Sequence, residues 1–156
     1  MGNRAYSGFV SVITVAQATN AYTCQHQCIY NPTVLLNRPS IYDVLISSAA
    51  TPADNANQWA LERTSTAPTG GAAITPSPVD PYDTAATTLD MSKPTGAAAT
   101  GVVLAYMSVN QRVTWRWCAV PGGELVNSGA AGSGIALVSV LSATPAVCES
   151  TIFFRE

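Results

Sequence analysis

Charge is scarce in this sequence. Only 10% of its 156 residues are Asp, Glu, Lys or Arg, well under the roughly 25% of typical soluble domains. A disordered segment has the opposite make-up, many charges and few apolar groups. With 47% hydrophobic residues, this chain is expected to fold, and its length suits one domain over residues 1–156. Its seven basic residues, Arg4, Arg38, Arg63, Lys93, Arg112, Arg116 and Arg155, lie scattered. No run of them offers the counterion release on which nucleic-acid affinity rests, so no nucleic-acid partner is expected. No 18-residue apolar run exists to cross a membrane. Nor do Met1 to Tyr6 lead into the unbroken apolar stretch of a secretory signal.

Catalytic signatures are equally thin. His26 is the only histidine, so any Ser-His-Asp or Cys-His apparatus would have to use it. No Gly-x-Ser-x-Gly string marks a nucleophile elbow. The Gly129 to Gly134 stretch is glycine-rich, but no lysine follows it, which excludes a phosphate cradle and leaves a flexible turn. Asp43, Asp80, Asp83 and Asp90 could in principle supply the two carboxylates of a glycosidase. They are read instead as turn formers and caps, several of them beside proline. No catalytic, cofactor-binding or metal residue is assigned, no cofactor is expected, and the protein is read as a non-enzyme.

Alternation is what the sequence has in quantity. In Gln58-Trp59-Ala60-Leu61-Glu62, Trp59 and Leu61 fall on one face and Gln58 and Glu62 on the other. In Arg112 to Trp117, Val113, Trp115 and Trp117 oppose Arg112, Thr114 and Arg116. Period two marks strands with one buried face. Phe9–Val15, Tyr22–Tyr30, Ile41–Ile46, Val102–Met107, Ile135–Leu141 and Thr151–Arg155 are further runs of strand length. Turn formers separate them, among them Asn31-Pro32, Pro68-Thr69-Gly70-Gly71 and Pro121-Gly122-Gly123. This pattern predicts an all-β, antiparallel sandwich of jelly-roll type. Pro76 to Lys93 reads as a long surface excursion. Thr51-Pro52-Ala53-Asp54 and Asp80-Pro81-Tyr82-Asp83 carry helix-start chemistry and are read as single helical turns in loops. A longer helix from Thr51 through Glu62 is the alternative for the first.

Cys24-Gln25-His26-Gln27-Cys28 invites a zinc reading. On a regular strand, residues two apart lie about 6.6 Å apart and the two cysteines about 13 Å apart. Ligands lie about 2.0–2.3 Å from one zinc ion, so the three side chains cannot converge without a bulge. A Cys24–Cys28 disulfide fails on the same distance. Cys118 and Cys148 fall in or near strands; with no export signal, reduced buried thiols are expected of all four cysteines, whose pairing the sequence does not choose. The three tryptophans are read as core first and sugar-stacking platforms second.

The order Trp59-x-Leu61-x-Arg63, Gly70-Gly71, Asp80-Pro81-x-Asp83-x-Ala85-Ala86, Pro121-Gly122-Gly123-Glu124-Leu125, Gly132-Ser133-Gly134-Ile135-Ala136-Leu137 and Thr151 to Glu156 resembles small β-sandwich proteins of tailed bacteriophages that decorate or cement capsids. The resemblance runs from Trp59 to Glu156, through loop and strand patterns without a catalytic signature. The Cys-x-His-x-Cys strand and the Trp115/Trp117 pair depart from it. It implies a jelly-roll-like sandwich, homotrimers on the capsid surface of the virion, the major capsid protein as partner, and no cofactor. A head-fibre or lectin-like receptor-binding role, using exposed aromatics such as Tyr82 or Tyr106, is the second expectation. A small hydrolase ranks last.

Overall fold

A computed structural model describes residues 4–15, 25–35, 38–92, 94, 100–142 and 146–156. Among these residues the chain is all-β, in twelve strands: β1 Ala5–Val15, β2 Gln25–Tyr30, β3 Ser40–Ser48, β4 Ala56–Thr64, β5 Ala72–Ile74, β6 Ser77–Pro78, β7 Leu89–Ser92, β8 Thr100–Asn110, β9 Trp115–Cys118, β10 Leu125–Val126, β11 Gly134–Ser142 and β12 Ala146–Arg155. Every pairing between them is antiparallel. The first sheet runs β10-β3-β12-β1-β6, with β9 also on β3; the second runs β5-β7-β2-β11-β4-β8. Without the short β5, β6, β7 and β10, the orders become β9-β3-β12-β1 and β8-β4-β11-β2. The chain crosses between the sheets at most of its connections. That is jelly-roll winding, in which two Greek keys roll into a double sheet.

Alternation built the core as read. Trp59 and Leu61 from β4 meet Ile135 and Leu137 from β11, and Ile41, Val44 and Ile46 from β3 meet Ile152 and Phe154 from β12. Tyr6 stacks on Phe154 with ring centroids 5.6 Å apart. Burying side chains of this size stabilises a fold by about 1.5–3 kcal/mol each. Trp115 and Trp117 pack against the same core from the rim of the first sheet, while Arg116 between them points outward.

Several expectations need correction. Thr51–Asp54 forms no helical turn, and the longer helix to Glu62 is replaced by β4. At Asp80–Asp83 the chain closes one turn, with the Asp83 amide donating to the Asp80 carbonyl at 3.0 Å. Arg112 and Val113 precede β9 and lie in a turn. The supposed excursion from Pro76 contains β6 and β7, and β7 pairs with both β2 and β5; Lys93 lies outside the described residues. The Gly129–Gly134 stretch is a turn in which Gly129 and Gly132 hold φ values of 80° and 76°, a region costly for any side chain. Asn31 braces it: its carbonyl accepts from the Gly132 amide and its side chain donates to Ala130.

Candidate functional site

A bulge decides the fate of the Cys-His-Cys string. β2 pairs with β11 in steady register to Gln27 opposite Leu137, then slips so that Gln25 faces Val138. The extra residue, His26, meets Trp59 edge-to-face at 5.4 Å. Cys28 lies on the opposite face with Ala136 and Val138. Two of the three candidate ligands therefore sit on opposite sides of one sheet. Cys24 lies outside the described residues. Among those residues no cluster of three His, Cys, Asp or Glu side chains could hold a metal ion. Burial pushes the Cys28 thiol up to about 12, against a lowering hydrogen bond from Thr64, so at neutral pH it is an inert thiol. Cys148 is a free thiol buried on β12, as expected, whereas Cys118 on β9 is a free thiol that is exposed, because it falls on the outward face of that rim strand.

The aspartates are dispersed. Asp80 is the turn former expected of it, its carboxylate accepting the Tyr82 amide at 2.9 Å. Asp43 and Asp90 are not turn formers; they lie within β3 and β7, and both are buried. On the outer face of the first sheet, Asp43 sits beneath Arg116, which grips both carboxylate oxygens through Nε and Nη2. Asp90 points between the sheets. Its Oδ2 accepts from Gln27 Nε2 at 2.6 Å; the same amide donates to the Gly8 carbonyl at 3.1 Å, and Ser150 donates to Gln27 Oε1 at 2.6 Å. The chain of bonds links both sheets. It requires glycine at position 8, since a Cβ there would stand 2.1 Å from Asp90 Oδ2. Burial raises the Asp90 carboxyl to about 7, with the Gln27 and Met91 hydrogen bonds opposing.

Glu62 is the residue that pattern reading missed. It occupies the polar slot of β4, on the face turned away from the first sheet, yet it is only 1% exposed and neither carboxyl oxygen has a hydrogen-bond partner. Burial lifts its carboxyl to about 7. Alternation identifies the face a side chain occupies; it carries no signal for whether that face is wet.

One loop is held unusually firmly. Between β6 and β7, Arg4 bonds to Thr84 and pairs with Asp83, and Tyr6 donates to the Thr84 carbonyl. The Glu156 carboxylate accepts from the Thr87 amide and hydroxyl and from the Thr88 amide. At the tip, Tyr82 is 97% exposed. Tyr106 is half-exposed on β8, its hydroxyl donating to Gln58.

Among the described residues, one cleft between Ile46, Ser48, Asn57, Trp59, Gln111 and Cys148 leaves room for about 10 Å³, and another beside Ile41 and Ile135 leaves about 0 Å³. Both fall below the roughly 300–1,000 Å³ usual for small-molecule sites. The first is crossed by polar bonds, Gln111 Nε2 donating to Asn57 Oδ1 at 3.1 Å and Asn57 Nδ2 to Cys148 Sγ at 3.9 Å. This arrangement is suited to surface contact. The outer face of the first sheet presents Phe9, Tyr42, Leu45 and Phe153, and most of its charges are paired: Asp43 with Arg116, and Arg155 with Glu124 while lying over the Tyr42 ring; Glu149, opposite Ser47, has no ion pair among the described residues.

Comparisons with protein-family models, curated proteins and solved structures find no match.

Proposed function

We propose that the protein is a structural subunit of a virus particle, a decoration protein that stabilises the capsid shell by bridging major capsid subunits. The observation that carries this reading is the outer face of the first sheet. Phe9, 52% exposed, joins Leu45, Tyr42 and Phe153 on a surface whose buried acid already has its arginine. Docking such a face strips water from few unpaired charges, which keeps the desolvation cost low. Each added contact binds the assembled shell and not the free subunits, and so raises the free energy of shell disassembly by mass action. Jelly-roll winding suits this use, because strands running the full height of the sandwich make a rigid platform.

The test uses particles of the virus that encodes this chain. Mass spectrometry is expected to find the protein in stoichiometric amounts. Particles lacking it are expected to rupture at lower temperature and to recover when purified protein is added back. Absence from the particles, or unchanged rupture without it, overturns the proposal.

The braced loop favours a second reading, receptor binding. A fixed loop holding an exposed tyrosine is pre-organised for contact, since little ordering entropy remains to be lost. Under this reading a glycan array detects binding that Tyr82→Ala abolishes, and an empty array removes it.

A further inference from the structure

Each double sheet has four edges, and three of them here are blunt. On the first sheet, β6 is two residues long and ends in Pro78, while β9 and β10 span four and two residues, with Arg116 in β9. On the second, β5 has three residues. These are the usual defences of an edge: brevity, proline and charge.

The fourth edge has none of them. β8 runs for eleven residues, Thr100–Asn110, without one Asp, Glu, Lys, Arg or Pro. Among the described residues it pairs with β4 alone. Its register with β4 shifts around Leu104, then runs unbroken from Ala105 opposite Leu61 to Asn110 opposite Ala56. Ala105–Asn110 is therefore a regular strand segment with one side unpaired among the described residues. Met107 and Val109 turn toward the core but stay only half-buried, and Tyr106 and Ser108 are exposed on the other face. A neighbouring strand would complete both the ladder and that burial.

We infer that Ala105–Asn110 of β8 is a self-association edge, on which a second copy of this chain pairs antiparallel about a twofold axis. A copy fits because an antiparallel edge complements itself: related by a twofold axis, each segment offers the other the same donors and acceptors. No charge opposes its own image across the axis. A foreign peptide would draw specificity from side-chain pockets beside the edge, and Tyr106 and Ser108 form a flat, exposed row instead. The symmetry is twofold where the phage resemblance implies a trimer, and the inference holds whatever the role in a virus particle. Six residues make a seam of only about 20 Å, so the pair is expected at the small end of stable interfaces, with micromolar dissociation.

Sedimentation equilibrium of the full chain between about 1 and about 200 µM tests this. Wild type is expected to shift from monomer to dimer, and the Tyr106→Lys/Ser108→Lys variant to remain monomeric with an unchanged circular dichroism spectrum. Phe9→Lys, on the other sheet, is expected to dimerise as wild type does. Amide exchange of wild type provides a readout free of substitution: protection of Ala105–Asn110 is expected to rise with protein concentration. A monomer throughout, a trimer, a folded double-lysine variant that still dimerises, or concentration-independent exchange at β8 would each overturn the inference.

Discussion

The two sheets treat buried carboxyls in opposite ways. On the first, Asp43 lies under a guanidinium that reaches both its oxygens. On the second, Glu62 is buried opposite Ala136 with no hydrogen-bond partner, and Asp90 accepts only from the Gln27 side chain and the Met91 backbone amide. The Asp43 pair is made at the rim, where Asp43 itself is buried but the outer side of Arg116 meets water. Glu62 and Asp90 resist ionisation, and both carry raised affinity for a proton. Location within a strand is therefore a poor guide to an acid's behaviour; what lies over it decides.

That contrast breaks most sharply at Gly8. Gly8→Ala drives a methyl into Asp90 and Gln27, which burial prevents from swinging aside. Overpacking together with a lost buried hydrogen bond is expected to cost about 3 kcal/mol, read from the urea midpoint.

Next comes pH. Glu62 holds its proton to about pH 7 in the fold and to about 4.5 when exposed. The raised folded value means that ionisation penalises the native state: the penalty is absent below pH 4.5, grows up to pH 7 and is constant above. Asp90 acts in the same sense between its ordinary 3.8 and about 7. Wild-type stability is thus expected to fall as pH rises from about 4.5 to about 7. Glu62→Leu is expected to regain about 2 kcal/mol at pH 8 and clearly less at pH 4. Urea titrations at the two values check it, and an equal gain at both would show that Glu62 does not titrate in this range.

Arg116→Ala creates on the first sheet the condition found on the second. A smaller loss of thermal midpoint is expected than at Gly8, since removing the side chain strips Asp43 of the guanidinium on both its oxygens but opens it to water; a thermal melt of the variant against wild type checks it.

The smallest effect belongs to Glu156. Burial pushes its carboxyl up, but the hydrogen bonds from Thr87 and Thr88 outweigh this and hold it below the usual range. A lowered value contributes stability above about pH 4.5 that is lost as pH falls through the folded value, the reverse of Glu62. After screening at this half-exposed site, Glu156→Gln is expected to cost about 0.5 kcal/mol at pH 7. Faster proteolysis near Tyr82 would report the loosened loop.

Much of the fold was legible because period two is a local signal. Trp59 and Leu61 announced β4, and Trp115 and Trp117 announced the strand β9. What stayed hidden depends on partners far along the chain. The slip that turns His26 toward Trp59 is set by β11, about a hundred residues later. β7 was lost inside a proline-rich stretch because four residues pairing with β2 and β5 leave little local trace. The environment of Asp90 arises where the two sheets stack, and that of Glu62 from the pairing of β4 with the distant β11; no window on the sequence contains either.

The ladder between β1 and β12 joins Ala5 to Arg155. A ribosome must reach residue 155 before the first strand can complete its long ladder with β12, although its short pairing with β6 is available earlier, and contacts this distant in sequence slow folding. Until then Tyr6 has no Phe154 to stack upon, and the newborn chain waits half-wound with greasy surfaces uncovered. Production in cells should therefore reward slow synthesis and low temperature.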